Sequence, residues 1–325
     1  MNAITGLAVA VTLAPEALGA DAATYRQCAQ FAADGRLDCG LLYPPLAALA
    51  FRPLTWVSPT AAAIVMTLLG LAILLIGVRL ETRGHAPIDR VLVAVAALGF
   101  APVVYELLLG QVTFLVAAAL YPVARRTDAF TNGIPVGIAL ALAPKPLLLL
   151  VVVWMLAWRR RALMAALLVA LALTGLGVVL MGQDQYRQWL SVLTGAGSQS
   201  VSGTFSLSLK GNFSLWPLDP VRIVLAAAVA ATALWTILRD PSRGFVAALL
   251  ASLLLAPYTG LYSATILLLA VRPALAFAPR ATRVLALTAN LVLALLPGLG
   301  AWSIGGLAAC FPSARRRGSR GTQSP

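Results

Sequence analysis

Long stretches without a charged residue dominate the chain. Four of them cover residues 53–78, 162–183, 245–271 and 284–314. About 20 apolar residues cross the hydrocarbon core of a bilayer as a helix, and a backbone in lipid must satisfy its hydrogen bonds within its own segment. The pattern therefore predicts an all-α polytopic membrane protein, with about 10–12 transmembrane or re-entrant helices.

The composition excludes the main alternatives to this fold class. Of the 325 residues, 60% are hydrophobic and only 11% are charged, whereas a soluble domain carries roughly 25% charged residues. An outer-membrane barrel would show strands that alternate polar and apolar residues, which these continuous apolar runs do not. A soluble globular fold and a barrel are both excluded.

The net charge is +13, and the positions of the basic residues indicate membrane topology rather than a binding partner. Most basic residues are arginines in short clusters between apolar runs, such as residues 159–161 and 315–317. Basic residues beside the ends of membrane spans mark the cytoplasmic side. The longer polar loops, at about 21–55 and 182–219, are then external, and no nucleic-acid partner is predicted.

Apolar runs and breaks divide the chain into predicted segments. Residues 1–20 lack the basic start of a signal peptide and are interpreted as an uncleaved first span. Residues 1–314 form one integral-membrane domain, and residues 315–325 form a disordered cytoplasmic tail. The other predicted segments are 56–78, 91–107, 110–124 after a tight turn at Gly110-Gln111, 133–158 broken at Pro144-Lys145-Pro146, 162–181, 221–238, 245–257, 260–271 and a hairpin at 284–314.

The residues missing from the chain limit its chemistry. His85 is the one histidine and the chain has three cysteines, so a Ser/His/Asp site or a metal cluster on the outer face is excluded. No metal or other cofactor is predicted. Glu106 is the best candidate for an ionisable group within the membrane, whereas proton-coupled transporters usually carry several.

Two external residues have two interpretations each. Asp21 follows the first span and could act as a general base, but on the residues alone a helix N-cap is favoured. Lys145, between two prolines and two apolar stretches, could bind a phosphate or could be a lysine that snorkels to the interface. Cys28 and Cys39 in the first loop could form a disulfide or remain free thiols.

Six short motifs in order resemble glycosyltransferase family 87, the polyprenol-phosphate-mannose-dependent mannosyltransferases with a GT-C fold. The motifs are Asp21-x-x-x-Tyr25, Tyr43-Pro44-Pro45, Gly110-Gln111, Lys145-Pro146 followed by Arg159, Gly211-Asn212-x-Ser214-Leu215 and Pro257-Tyr258-Thr259.

The resemblance implies an inverting transfer of mannose from a polyprenyl-phosphate sugar to a hydroxyl of a lipid-linked envelope glycan, at the outer face of the plasma membrane. Asp21 would then be the general base. Lys145, with Arg52 and Lys210, would hold the donor phosphate. Tyr43, Gln111, Asn212 and Tyr258 would contact the sugar or the lipid, and membrane lipids surround the protein.

Departures from the family pattern leave other functions open. Gly260, Leu261 and Tyr262 replace the Trp and His that often follow the Pro motif, so a divergent or inactive member is an alternative. An arabinofuranosyltransferase is a second alternative. A transporter or flippase, which would show polar residues at the midplane and an inverted repeat, is a third. The high Ala and Arg content indicates a GC-rich, actinobacterial source.

Overall fold

The described part of the chain is helical throughout its regular structure. The computed structural model describes residues 19–33, 43–84, 86–98, 100–126, 128–145, 148–196, 219–256 and 261–270. These residues form no strand, and several of their helices are long and apolar. The predicted fold class, an all-α polytopic membrane protein, is confirmed.

Twelve α-helices and two 3₁₀ helices make up these residues. The bounds are α1 Ala20–Ala33, α2 Pro45–Ala50, the first 3₁₀ helix Arg52–Trp56, α3 Pro59–Glu81, α4 Pro87–Leu98, α5 Ala101–Leu109, α6 Thr113–Arg125, α7 Phe130–Leu142, α8 Leu149–Trp158, α9 Arg160–Met181, α10 Gln183–Ala196, α11 Asp219–Arg239, α12 Pro241–Leu255 and the second 3₁₀ helix Leu261–Leu267.

Three of the described helices are long and apolar enough to cross a membrane. They are Pro59–Glu81, Arg160–Met181 and Pro220–Arg239, and no more than 22% of the apolar window of each is buried. Apolar side chains such as Leu68, Leu171 and Val224 are exposed along them, as expected for helices that face lipid. Shorter apolar helices, Thr113–Arg125, Phe130–Leu142, Leu149–Trp158 and Pro241–Leu255, pack among them.

One predicted span is two helices in the structure, so the prediction of a continuous helix there is wrong. Residues 91–107 were expected to form a single helix, but α4 ends at Leu98 and α5 begins at Ala101. Phe100 is extended there, with φ −78° and ψ 112°, and Pro102 occupies the first turn of α5. Because proline has no N–H and fits the first turn of a helix, it ends one helix and begins the next.

The other predicted breaks agree better with the structure. The 133–158 segment is interrupted at Pro144-Lys145 as expected, between α7 and α8. The predicted loop 182–219 instead begins with α10, where Tyr186 is buried. The predictions for residues 1–18, for the hairpin at 284–314 and for the tail at 315–325 lie outside the described residues.

Close packing of α7 on α9 builds the centre of the helix bundle. A Cβ atom added to Gly133 would collide with the carbonyl oxygen of Ala162, and one on Gly137 would lie 2.5 Å from that of Ala166. The backbones therefore approach each other through small residues, the usual device of helices in membranes. Gly133 and Ala162 lie near the beginnings of α7 and α9, so this contact is at the end of the bundle opposite the α7–α8 connection, which carries Lys145.

The arginine clusters lie at the far end of the bundle from that connection. Arg125 at the end of α6 pairs with Glu81 at the end of α3, with 2.6 Å between Nε and Oε1. Arg159 donates to the carbonyl of Val123 at 3.1 Å. Since α6 has 13 residues, its two ends lie about 20 Å apart. A cluster of polar side chains surrounds the beginning of α6.

Candidate active site

A glycine turn places Gln111 between α1 and α6. Gly110 ends α5 with φ +68°, in the left-handed region that favours glycine. A Cβ at this position would also lie 3.1 Å from that of Ala22 and 3.2 Å from that of Met66. The predicted tight turn at Gly110-Gln111 is thus present, and it directs the Gln111 side chain into the bundle, where it is buried.

The Gln111 side chain connects Asp21 with two tyrosines of the first predicted external loop. Its Nε2 donates to Oδ2 of Asp21 at 2.7 Å. Its Oε1 accepts from the hydroxyl of Tyr25 at 2.7 Å and faces that of Tyr43 at 3.4 Å. A carboxamide offers two donor hydrogens and an accepting oxygen, so these partners orient the nitrogen toward the Asp21 carboxylate.

Asp21 lies in the polar cluster beside Gln111 and is not the N-cap of its helix. The helix begins at Ala20, so Asp21 lies inside the first turn, and the N-cap interpretation is wrong. Its side chain is half-buried. Burial raises the pKa of the Asp21 carboxyl above 3.8, while the hydrogen bond from Gln111 and the charge of Lys145 oppose that rise. The result is a carboxylate of increased basicity that is held in one orientation.

Lys145 is buried between α7 and α8 with its ammonium group bonded. Nζ donates to Oγ1 of Thr113 at 2.7 Å and lies 5.1 Å from the ring centroid of Tyr262. Only 9% of the residue is exposed. A snorkelling lysine holds its charge in water, so this interpretation is wrong. A buried ammonium that is held by a hydrogen bond provides a fixed positive charge for an anion.

Two tyrosines form the wall of the cluster beside Gln111. The Tyr25 and Tyr43 hydroxyls lie 3.5 Å apart, and the Tyr25 ring stacks on Phe51 at 4.4 Å. Burial raises the pKa of both phenols well above 10. Both therefore stay neutral and can donate hydrogen bonds.

Glu106 joins the site from the last turn of α5. It is only 1% exposed, and its Oε1 accepts from the N–H of Phe114 at 3.2 Å. Sequence reasoning marked it as ionisable within the membrane and did not place it in the site. A carboxylate in an otherwise apolar segment was the signal available for it.

Three further residues of the cluster, Tyr25, Thr113 and Tyr262, were given no role in the prediction from sequence. Tyr25 was visible through the Asp-x-x-x-Tyr spacing, which places both residues on one face of a helix. Thr113 and Tyr262 carry no comparable signal, because an isolated Thr or Tyr in an apolar segment is ordinary.

Of the remaining predicted residues, the structure describes Arg52 alone. Arg52 is exposed in the first 3₁₀ helix, and none of the hydrogen bonds or ion pairs among the described residues connects its guanidinium to the cluster. Lys210, Asn212 and Tyr258 lie outside the described residues. Cys28 is disulfide-bonded, and its partner is also outside them. In the described ranges, no group of three His, Cys, Asp or Glu could hold a metal ion.

Two comparisons with known proteins match this chain, and a third does not. The model of the family described as glycosyltransferase family 87 matches residues 41–263. A Mycobacterium tuberculosis H37Rv protein, named polyprenol-phosphate-mannose-dependent alpha-(1-2)-phosphatidylinositol mannoside mannosyltransferase, is 27% identical over 226 residues. That alignment covers 59% of this chain and 52% of the relative, so the chain spans about half of that protein's length. No solved structure matches.

The residues of the cluster are divided between the matched region and the segment before it. Tyr43, Gln111 and Lys145 lie within residues 41–263, whereas Asp21 precedes them. The hydrogen bond from Gln111 connects Asp21 to the matched region.

Proposed function

Because this chain belongs to glycosyltransferase family 87, we propose that it transfers mannose from a polyprenyl-phosphate donor to a hydroxyl of a lipid-linked envelope glycan. The observation that carries the proposal is the Asp21 carboxylate held by Gln111 beside the buried ammonium of Lys145. The donor named in the M. tuberculosis relative supports the choice of sugar.

The transfer proceeds with inversion in one displacement. The Asp21 carboxylate removes the proton of the acceptor hydroxyl, and the oxygen attacks the anomeric carbon of the donor sugar. The bond from that carbon to the phosphate oxygen breaks, and polyprenyl phosphate leaves with the electron pair. The proton on Asp21 then passes to water.

Lys145 stabilises the leaving group. The phosphate gains negative charge as its bond to the sugar breaks, and a fixed positive charge in a buried site lowers the energy of that transition state. Thr113 accepts from Nζ and holds it in place. The charge is thus preorganised before the donor arrives.

The site faces the outer side of a bacterial plasma membrane. The cluster lies at the beginning of α6, and the Arg125–Glu81 pair lies at its other end. Basic residues near span ends favour the cytoplasmic side, which directs the cluster outward in a multi-pass arrangement. A donor that lies in the bilayer reaches it there without a nucleotide site.

The test is transfer of radiolabel in membranes that contain the protein. Polyprenyl-phosphate-mannose is supplied to the unaltered chain, to Asp21→Asn and to Asp184→Asn, a matched change at an exposed residue of α10. We expect transfer by the first and third and a loss of roughly 100- to 10,000-fold in Asp21→Asn. Transfer from a polyprenyl-phosphate-arabinose donor alone would overturn the sugar, and transfer from neither donor would overturn the function.

A further inference from the structure

Two carboxylates surround one buried ammonium in the candidate site. Asp21 and Glu106 both act electrostatically on Lys145, whose side chain is almost completely buried. Lys145 is the basic side chain that the described residues contribute to this cluster. The site of the free protein therefore holds one positive and two negative groups when all three are ionised.

The two carboxylate oxygens of Glu106 have different surroundings. Oε1 accepts from the Phe114 N–H at 3.2 Å and so caps the beginning of α6. Oε2 is buried and has no hydrogen-bond partner among the described residues. The side chains that face Glu106 are Lys145 from the α7–α8 connection, Tyr25 from α1, Tyr43 from the segment before α2 and Thr113 from α6; Asp21 and Tyr262 face Lys145.

Donor binding disturbs this balance of charge. The phosphodiester of the donor carries one negative charge, which would be the third around a single ammonium in a site largely removed from water. Repulsion between like charges is strong in such a medium, and a carboxyl group in this position is expected to become neutral. Either Asp21 or Glu106 then has to be protonated.

We infer that Glu106 takes up one proton from solvent when the donor phosphate binds beside Lys145. The proton goes to Oε2, so the carboxylate becomes a carboxylic acid and the bond from Phe114 to Oε1 is kept. Asp21 remains ionised, as it must be to accept the proton of the acceptor hydroxyl. This inference rests on the proposed function and gives Glu106 a role in binding that the displacement itself does not need.

The test measures donor binding by the purified full-length protein without an acceptor, so that no sugar is transferred to one. Asp21 is kept, because its charge contributes to the repulsion that protonation of Glu106 relieves. The dissociation constant of radiolabelled polyprenyl-phosphate-mannose is measured for the unaltered chain and for Glu106→Gln. The measurements run over roughly pH 5 to 9, where a buried carboxyl and the donor's partners titrate differently.

The expected result is a difference in slope between the two proteins. In the unaltered chain the affinity falls by about tenfold per pH unit once free Glu106 is ionised, because each binding event needs one proton. The Glu106→Gln amide resembles the protonated acid and retains an oxygen for Phe114, so its affinity stays within about twofold over the same range. Because Glu106 favours the charged form of Lys145, the slopes are compared over the part of the range in which Lys145 stays charged in both proteins.

Calorimetry provides a second measurement, the number of protons taken up per donor bound, which a change in folding alone would not alter. In buffers of different ionisation enthalpy, the unaltered chain takes up about one proton per donor at high pH and Glu106→Gln takes up none. Parallel pH curves, or weaker binding by Glu106→Gln with unchanged slope, would overturn the inference and reduce Glu106 to a cap of α6. A folded unaltered chain without saturable donor binding at any pH would overturn the proposed function as well.

Discussion

Gln111 donates from Nε2 to Oδ2 of Asp21 at 2.7 Å, although 90 positions separate the two residues in the chain. The same side chain accepts from Tyr25 through Oε1. An amide that is bonded at both ends cannot rotate without breaking a buried hydrogen bond, which is costly. The direction of the Asp21 carboxylate is therefore determined by Gln111.

Gln111→Met tests this control of orientation. Methionine has a similar volume but neither donates to Asp21 nor accepts from Tyr25, so the base loses its orientation. We expect a fall in kcat of about 100-fold, the size of effect that misplacement of a reacting group produces. The transfer assay measures it, with Gln188→Met on the exposed face of α10 as the matched control. Full activity of a folded Gln111→Met protein would contradict the positioning role.

The acid side of the pH profile reports on Asp21. A general base works only when deprotonated, so kcat/KM should be lost as pH falls through the pKa of Asp21. Burial raises that pKa above 3.8, and the hydrogen bond from Gln111 lowers it. Removing the bond in Gln111→Met should therefore move the loss of activity to higher pH. Profiles of kcat/KM for both proteins check the sign, and a shift to lower pH would be inconsistent with Asp21 as the base.

Two substitutions of Lys145 distinguish the effect of its charge from the effect of its volume on use of the donor phosphate. Lys145→Met removes the charge and keeps much of the volume, and we expect kcat/KM for the donor to fall by roughly 100- to 1,000-fold. Lys145→Arg keeps the charge and should recover part of the loss. Steady-state kinetics at several donor concentrations provide the measurement. A folded Lys145→Ala protein with full transfer activity would rule out the phosphate role.

Two identical glycine substitutions test the α7–α9 packing. Gly133→Ala brings a methyl group against the Ala162 carbonyl, whereas Gly175→Ala on α9 meets no atom within 4 Å. Overpacking should destabilise the first variant by about 1–3 kcal/mol, and better helix propensity should leave the second equal or more stable by up to about 1 kcal/mol. Thermal unfolding of both in one detergent gives the comparison. Equal midpoints would show that the two helices can separate freely.

Several parts of the fold follow from the chain's own pattern. The apolar runs predict membrane helices because a helix satisfies its hydrogen bonds locally, and prolines predict the break around Lys145. The Gly110 turn was also visible, since glycine accepts a left-handed backbone. The break before Pro102 was missed because hydrophobicity continues through it, although a proline in the first turn begins a new helix.

The residues of the candidate site were also only partly predictable from the sequence. Motif order led to Asp21, Tyr43, Gln111 and Lys145, which the structure brings together, and also to Arg52, which lies apart from them. The roles of all these residues, and those of Lys210, Asn212 and Tyr258, remain predictions.

The sequence by itself determined the membrane fold class and the chemical types of the site, because burial in lipid and backbone breaks are local properties. Only the tertiary structure decided that Asp21 bonds Gln111 instead of capping a helix, and that Glu106 faces Lys145. The first contact depends on how closely the Gly110 turn lies against Ala22 and Met66. Such approaches arise from packing between distant segments, which no local pattern specifies.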